Sequence, residues 1–333
     1  MNQTATGNAS VIEVKDLTIS YRTHSGLMKA VDGISFNVRK GEILGLAGES
    51  ACGKTTTALS IMRLQSENAT VEGQVLFEGK NVLQMPDEEL RAFRWSKVSL
   101  IPQGSMNSLD PVIQIGKQIT EAIRAHEKVS GKQAWQRAEK LLSSVSIHAS
   151  RAKNYPHEFS GGMKQRSVIA MALALNPSLV IADEPTTALD VVVQKQLLEL
   201  LKDLKRRWGI SFLFVSHDLS VIGEIADRVA VMYAGKIVEI GKKDDVLKHP
   251  AHPYTQALVN SVPRIWGARQ ALHSIPGSPP TGVWPAGCRF HPRCEYAFEL
   301  CKQVDPELQL SKTNTLAACH LITHEENARH TGE

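Results

Sequence analysis

Gly48-Glu49-Ser50-Ala51-Cys52-Gly53-Lys54-Thr55 fits the spacing G-x-x-x-x-G-K-[ST], and it follows the apolar run Ile43–Ala47. Glycines at those positions let a short loop turn tightly with its backbone N–H groups pointing inward, an anion nest that opens onto a helix N-terminus. Lys54 is then expected to reach the β- and γ-phosphates of ATP and the Thr55 hydroxyl, followed by Thr56, to ligate Mg²⁺. Asp183 ends a second apolar run, where a carboxylate is expected to serve the Mg²⁺ site. Beside it Glu184 is the candidate that polarises an attacking water. His217 follows a third apolar run, and a neutral imidazole there is expected to bond the γ-phosphate and sense its loss.

These side chains need strands that end where the chemistry is. Residues 11–21 and 34–38 read as antiparallel strands leading into Ile43–Ala47, and residues 55 to about 64 as the helix after the loop. Residues 71–77 read as a further strand followed by a turn. From about residue 105 the character changes, with helical patterns over 117–128 and 133–144 that predict a helical subdomain. Residues 179–182 and 211–215 are buried strands by composition, with Leu197, Leu201, Leu204 and Trp208 forming one apolar helical face between them. That strand–helix–strand order predicts a parallel sheet with right-handed crossovers. Beyond about Pro250 the sequence turns rich in Pro, His and Cys, which predicts a separate extension over 251–333 after a nucleotide-binding domain over 11–250.

The bulk numbers narrow the classes. With 333 residues and 42% hydrophobic content, the chain has room for one such domain plus an appendage and is not disordered by composition. A net charge of +4 with dispersed Lys and Arg argues against nucleic-acid binding. No apolar run approaches the roughly 20 residues that span a bilayer, and the polar N-terminus lacks the features of a secretory signal. The expectation is a cytosolic protein that docks onto other subunits if it works at a membrane. Five cysteines in such a compartment do not suggest a disulfide framework.

Two further motifs carry a resemblance. Ser160-Gly161-Gly162-Met163-Lys164-Gln165, preceded by Phe159, looks like the signature motif of ABC transporter cassettes, and a serine and two glycines at a helix start would form a second anion nest. The resemblance implies an α/β P-loop NTPase cassette: a RecA-like parallel core, an antiparallel β subdomain, and a helical subdomain over about 105–165. It implies a head-to-tail dimer in which Ser160, Gly161 and Gly162 cap the γ-phosphate of ATP held by a second cassette. Asp190 matches the loop that crosses that interface. Gln103 matches the glutamine that contacts Mg²⁺ and water, and Tyr21 the aromatic that stacks on adenine. Three departures stand out: Ala51-Cys52 where many relatives have Gly-Ser, Gly104 where many have an acid, and Phe159 for leucine. Cys52, beside a helix N-terminus, is expected to carry an unusually acidic thiol whose alkylation inhibits turnover.

The tail narrows the resemblance. His252-Pro253-Tyr254-Thr255, Gly277-Ser278-Pro279-Pro280 and a cysteine cluster resemble the ATPases of oligopeptide, dipeptide and nickel importers. Cys288, Cys294, Cys301 and Cys319 are separated by five, six and seventeen residues, without the paired C-x₂₋₄-C knuckles usual for structural zinc. Four cysteines at looser spacing suit an iron–sulfur cluster, with zinc and unligated thiols as the other readings. The resemblance implies a [4Fe–4S] cluster at these four positions. It also implies a peripheral ATPase at the cytoplasmic face of the membrane, working with two transmembrane permeases, a second and different ATPase, and an extracytoplasmic solute-binding protein. Di- or oligopeptides are the expected cargo, with nickel or another small solute as the alternative and a soluble ABC ATPase uncoupled from transport more remote.

Overall fold

The structure is a computed structural model that describes residues 9–24, 26–261, 275–280 and 282–322. The expectation about the N-terminal segment falls largely on residues outside that set. In chain order the first elements are β1 (Ser10–Thr23), β2 (Gly26–Arg39), β3 (Ile43–Ala47), α1 (Lys54–Ser60), β4 (Ala69–Phe77), β5 (Lys80–Asn81), α2 (Asp87–Phe93) and β6 (Val98–Ile101). Next come α3 (Ile115–His126), α4 (Gly131–Ser144), α5 (Gly161–Ala172), β7 (Leu179–Asp183), α6 (Val191–Trp208), β8 (Ser211–Ser216) and α7 (Leu219–Ile225). The remainder is β9 (Arg228–Tyr233), β10 (Lys236–Lys242), α8 (Lys243–Lys248), α9 (Pro253–Ser261), α10 (Glu299–Gln303), β11 (Gln309–Leu310) and β12 (Leu316–Ala317). The chain forms two compact units interleaved in sequence: one holds residues up to Ile12, Asn37–Glu42 and Leu76–Val215, the other Glu13–Phe36, Ile43–Val75 and Ser216 onward.

In the first unit β6, β7 and β8 are parallel, with Val98 opposite Leu179 and Leu179 opposite Ser211. Every residue of β7 and β8 is buried, the run expected of strands covered on both faces. The 18-residue α6 is the crossover between them, with Leu197, Leu198, Leu200, Leu201 and Leu204 buried. Trp208 does not join that face: at the last turn it is 36% exposed, while Leu198 and Leu200 are buried with the other leucines. Asp190 caps the start of α6 by accepting from the N–H groups of Val192 and Val193, and Gly209 ends it in the left-handed region. The two helical patterns are present as α3 and α4, both starting two residues earlier than the patterns over 117–128 and 133–144. A capping box between Ser130 and Gln133 fixes the start of α4.

In the second unit β3 and β9 are parallel, with Leu44 opposite Arg228. β9, β10, β12 and β11 then continue as antiparallel neighbours. All five residues of β3 are buried. The helix after it, α1, stops at Ser60 rather than continuing to about residue 64, and Arg63 adopts a positive φ of 50°. The fully buried Glu239 on β10 accepts from the N–H groups of Ala251 and His252 and from the Thr315 hydroxyl. One carboxylate thereby ties the start of α9 and the segment before β12 to the sheet. Its burial raises its pKa, the cost of that role being offset by three donors.

Leu201 is fully buried in α6. Leu201→Ala is expected to lower unfolding free energy by about 2–5 kcal/mol, measured by urea denaturation.

Candidate functional site

The second unit carries the phosphate loop. Gly48 has φ 148°, and a Cβ there would lie 2.3 Å from the Met232 carbonyl oxygen and 2.8 Å from Cys52 Sγ. Gly53 has φ 104°, with the Ala30 carbonyl oxygen 2.6 Å from where its Cβ would stand. No side chain fits at either position, so the loop is drawn against β9 and β2 by backbone contact. Lys54, 5% exposed, donates from Nζ to the carbonyls of Gly48 and Glu49, each at 2.8 Å. Its ammonium is therefore curled back over its own loop, at the start of α1. Thr55 and Thr56 are half-buried in the first turn and Ser50 is exposed. Tyr21 is half-buried near the end of β1, and His217 lies exposed between β8 and α7.

Ala51 occupies the left-handed region with φ 63°, a conformation that costs alanine more than glycine. Cys52 is 2% exposed, and its burial, opposed by the neighbouring Lys54 charge, pushes its thiol pKa up. The expectation of an acidic, reactive Cys52 is thereby overturned: desolvation outweighs the helix terminus and the lysine.

The first unit carries the carboxylates. Asp183 is 2% exposed at the end of β7. Glu184 follows with φ 47°, an unfavourable backbone conformation held by its N–H donating to the Val215 carbonyl. Gln103 Nε2 and Thr187 Oγ1 both donate to Glu184 Oε2 at 3.1 Å, so the expected glutamine and the expected water-polarising acid are in direct contact. Ser160 caps α5 by accepting from the Met163 N–H at 3.4 Å. A Cβ on Gly162 would lie 2.7 Å from Val193 Cγ1, which fixes that glycine by the approach of α6. Asp190 spends its carboxylate on the N-terminus of α6, beside the exposed Val191 and Val192.

Some connections were not read from the sequence. Buried Ser105 donates to buried Gln165 at 2.6 Å, joining the segment after Gln103 to the signature helix. Gly104, in the left-handed region, starts the turn that brings Ser105 there. His252, held neutral by burial with its pKa down to about 3, accepts from the Tyr254 N–H at 3.0 Å. Tyr254 in turn accepts at Oη from the Glu49 N–H at 3.0 Å, so the His252-to-Thr255 motif holds the phosphate loop. The only signal for this in the sequence is the motif itself, far from the loop it serves.

Cys288, Cys294, Cys301 and Cys319 line one small cavity together with His252, His291 and His320. Burial above all pushes Cys288 up to about 11 and Cys319 up to about 12, with the other thiols' charges adding to both. Among the described residues no group of three or more His, Cys, Asp or Glu is arranged to hold a metal ion. Among the same residues no helix is long and apolar enough to cross a membrane.

Two predictions follow from the loop geometry. Alkylation of Cys52 in the folded protein is expected to be slower than that of an unfolded control, read by mass spectrometry; equal rates would contradict its burial. Ala51→Gly is expected to raise unfolding free energy by up to about 1 kcal/mol by relieving the left-handed alanine, read by thermal melting.

The ABC transporter family profile matches residues 31–187, and the profile described as "Oligopeptide/dipeptide transporter, C-terminal region" matches residues 238–301. A "Probable peptide ABC transporter ATP-binding protein y4tR" of Sinorhizobium fredii is 45% identical, over 93% of this chain and 94% of that one. The "Oligopeptide transport ATP-binding protein OppD" of Salmonella typhimurium is 42% identical, over 93% of each chain. The "Dipeptide transport ATP-binding protein DppD" of Bacillus subtilis is also 42% identical, over 96% of each. Among solved structures, the dimeric bacterial ABC transporter cassette MJ0796 aligns with a TM-score of 0.63 and 28% identity, covering 70% of this chain and 98% of that one. The cassette fold, the motifs and these relatives together make the chain a member of the ABC transporter family, among its ATP-binding proteins.

Proposed function

We propose that the chain binds and hydrolyses Mg·ATP to energise the import of di- or oligopeptides through separate membrane permeases. The observation that carries the catalytic part is the Gln103–Glu184 hydrogen bond at the end of β7, in a chain that also has a complete phosphate loop. The peptide cargo is supported by the names of the relatives and by the matching C-terminal region. Those relatives give no support to nickel or to an ATPase uncoupled from transport.

In this reading Gly48 through Thr56 bind the phosphates, with Lys54 turning from its own carbonyls to the β- and γ-phosphates. Thr55, Asp183 and Gln103 would hold Mg²⁺, which would neutralise phosphoryl charge. Glu184 orients the attacking water and His217 bonds the γ-phosphate. Tyr21 stacks on adenine. Ser160, Gly161, Gly162 and Asp190 act toward the nucleotide of a second cassette, a different ATPase in a heterodimer. ATP binding closes that dimer and product release reopens it, a differential affinity for two states that drives the permeases. The chain works at the cytoplasmic face of the membrane with two permeases and a solute-binding protein.

Residues 11–250 form the nucleotide-binding domain and residues 251–333 a cysteine-rich extension. The four thiols of Cys288, Cys294, Cys301 and Cys319 are the donor chemistry a [4Fe–4S] cluster takes and they line one small cavity, although among the described residues they are not drawn together as a metal-holding group. Bound there, the cluster would cross-link the tail; the cysteines' part is to hold it as thiolates.

Glu184→Gln is expected to lower ATP turnover by about 10²–10⁴-fold while ATP binding persists. In a strain lacking the gene, wild type should restore labelled dipeptide uptake and Lys54→Ala should not; uptake independent of the gene would overturn the cargo. Protein purified without oxygen should carry about four iron and four sulfide per chain. Zinc, or no metal, would overturn the cluster.

A further inference from the structure

The phosphate loop is held from outside by the cysteine-bearing tail, and we infer that Arg293 is a positioning residue for nucleotide binding. The inference rests on reading Gly48 through Thr55 as the phosphate loop. Glu49 is the acid in that loop, a negative charge beside the place where a triphosphate must sit. Arg293 meets it as a two-pronged ion pair, Nη1 to Oε2 at 2.7 Å and Nη2 to Oε1 at 3.1 Å. The guanidinium is itself fixed, with Nε donating to the Pro276 carbonyl at 2.8 Å and Nη1 to Tyr233 Oη at 3.3 Å. Its side chain is 6% exposed and that of Glu49 is 24% exposed, so water screens the pair poorly.

Glu49 is consequently tied at three points. Arg293 holds its carboxylate, Tyr254 accepts from its N–H, and its carbonyl accepts from Lys54. Two of the three holders, Arg293 and Tyr254, lie in the C-terminal segment, and the Tyr254 ring packs with those of Tyr233 and Phe290 at centroid distances of 4.6–5.3 Å. Arg293 stands on the short turn His291–Arg293 between Cys288 and Cys294, closed by the Arg293 N–H donating to the Phe290 carbonyl at 2.9 Å.

Two consequences separate this role from simple packing. With Arg293 present, the Glu49 charge is neutralised and its carboxylate is turned away toward the tail. With Arg293 removed, an unpaired carboxylate is left facing the anion that the loop must bind. The loss of affinity therefore depends on Glu49 being charged, and neutralising Glu49 should abolish it.

The test is equilibrium binding of a slowly hydrolysed ATP analogue with Mg²⁺ to the full chain, with thermal melting as a check of folding. Arg293→Gln is expected to raise Kd about tenfold. Glu49→Gln combined with Arg293→Gln should bind within about threefold of Glu49→Gln alone, because without the Glu49 charge the loss of Arg293 has nothing to expose. An Arg293→Gln variant that binds as wild type does, or a double variant about tenfold weaker than Glu49→Gln alone, would overturn the proposal. Should Arg293→Gln fail to fold, the double variant against Glu49→Gln still decides, since their affinities must then be equal. Lys54→Ala is the reference: if it binds as tightly as wild type, it is the phosphate-loop reading that fails, not the role of Arg293.

Discussion

A loop that admits no side chain at two positions is the constraint on which the rest depends. At Gly48 the backbone runs so close to the Met232 carbonyl, and at Gly53 so close to the Ala30 carbonyl, that a Cβ would overlap an oxygen. Such contact fixes the path of the loop without relying on mobile side chains, and it directs the following residues into α1. The supporting strand β3 can be this rigid because every one of its residues is buried. Lys54 is kept in a dry position with its charge satisfied by loop carbonyls, a stored donor that phosphate oxygens can replace. The loop is thus formed in advance, which lowers the ordering cost of binding.

The first unit shows a comparable economy. Strain at Glu184 is held where β7 ends, by a backbone hydrogen bond to the neighbouring strand, and its carboxylate is met by Gln103 and Thr187. The segment carrying Gln103 is connected onward through Ser105 to Gln165 of α5. A movement of either end of this chain of contacts has a direct physical route to the other.

Much of this was legible in the sequence because it was local. Apolar runs at Ile43–Ala47, Leu179–Asp183 and Ser211–Ser216 gave strands, and spacing gave the phosphate loop. What escaped was set by tertiary contact. Trp208 fits the helical period but is the last residue of α6, where it stays 36% exposed. The neighbours of Cys52 in sequence, the helix start and Lys54, point to an acidic thiol, whereas its burial pushes the pKa up. Tyr254 and Arg293 are 205 and 244 residues from Glu49, and only folding reveals them as its partners. Glu239 looks like an ordinary strand residue until the backbone donors converging on it are seen.

The most direct test of the central claim is Mg·ATP binding by Gly48→Ala, with circular dichroism to establish that the chain remains folded. A Cβ there must displace the Met232 carbonyl or the loop itself. The account predicts that affinity falls by about a hundredfold or more while secondary structure is retained. A folded Gly48→Ala protein that binds Mg·ATP as wild type does would show that the close backbone approach is not what makes this loop a phosphate site.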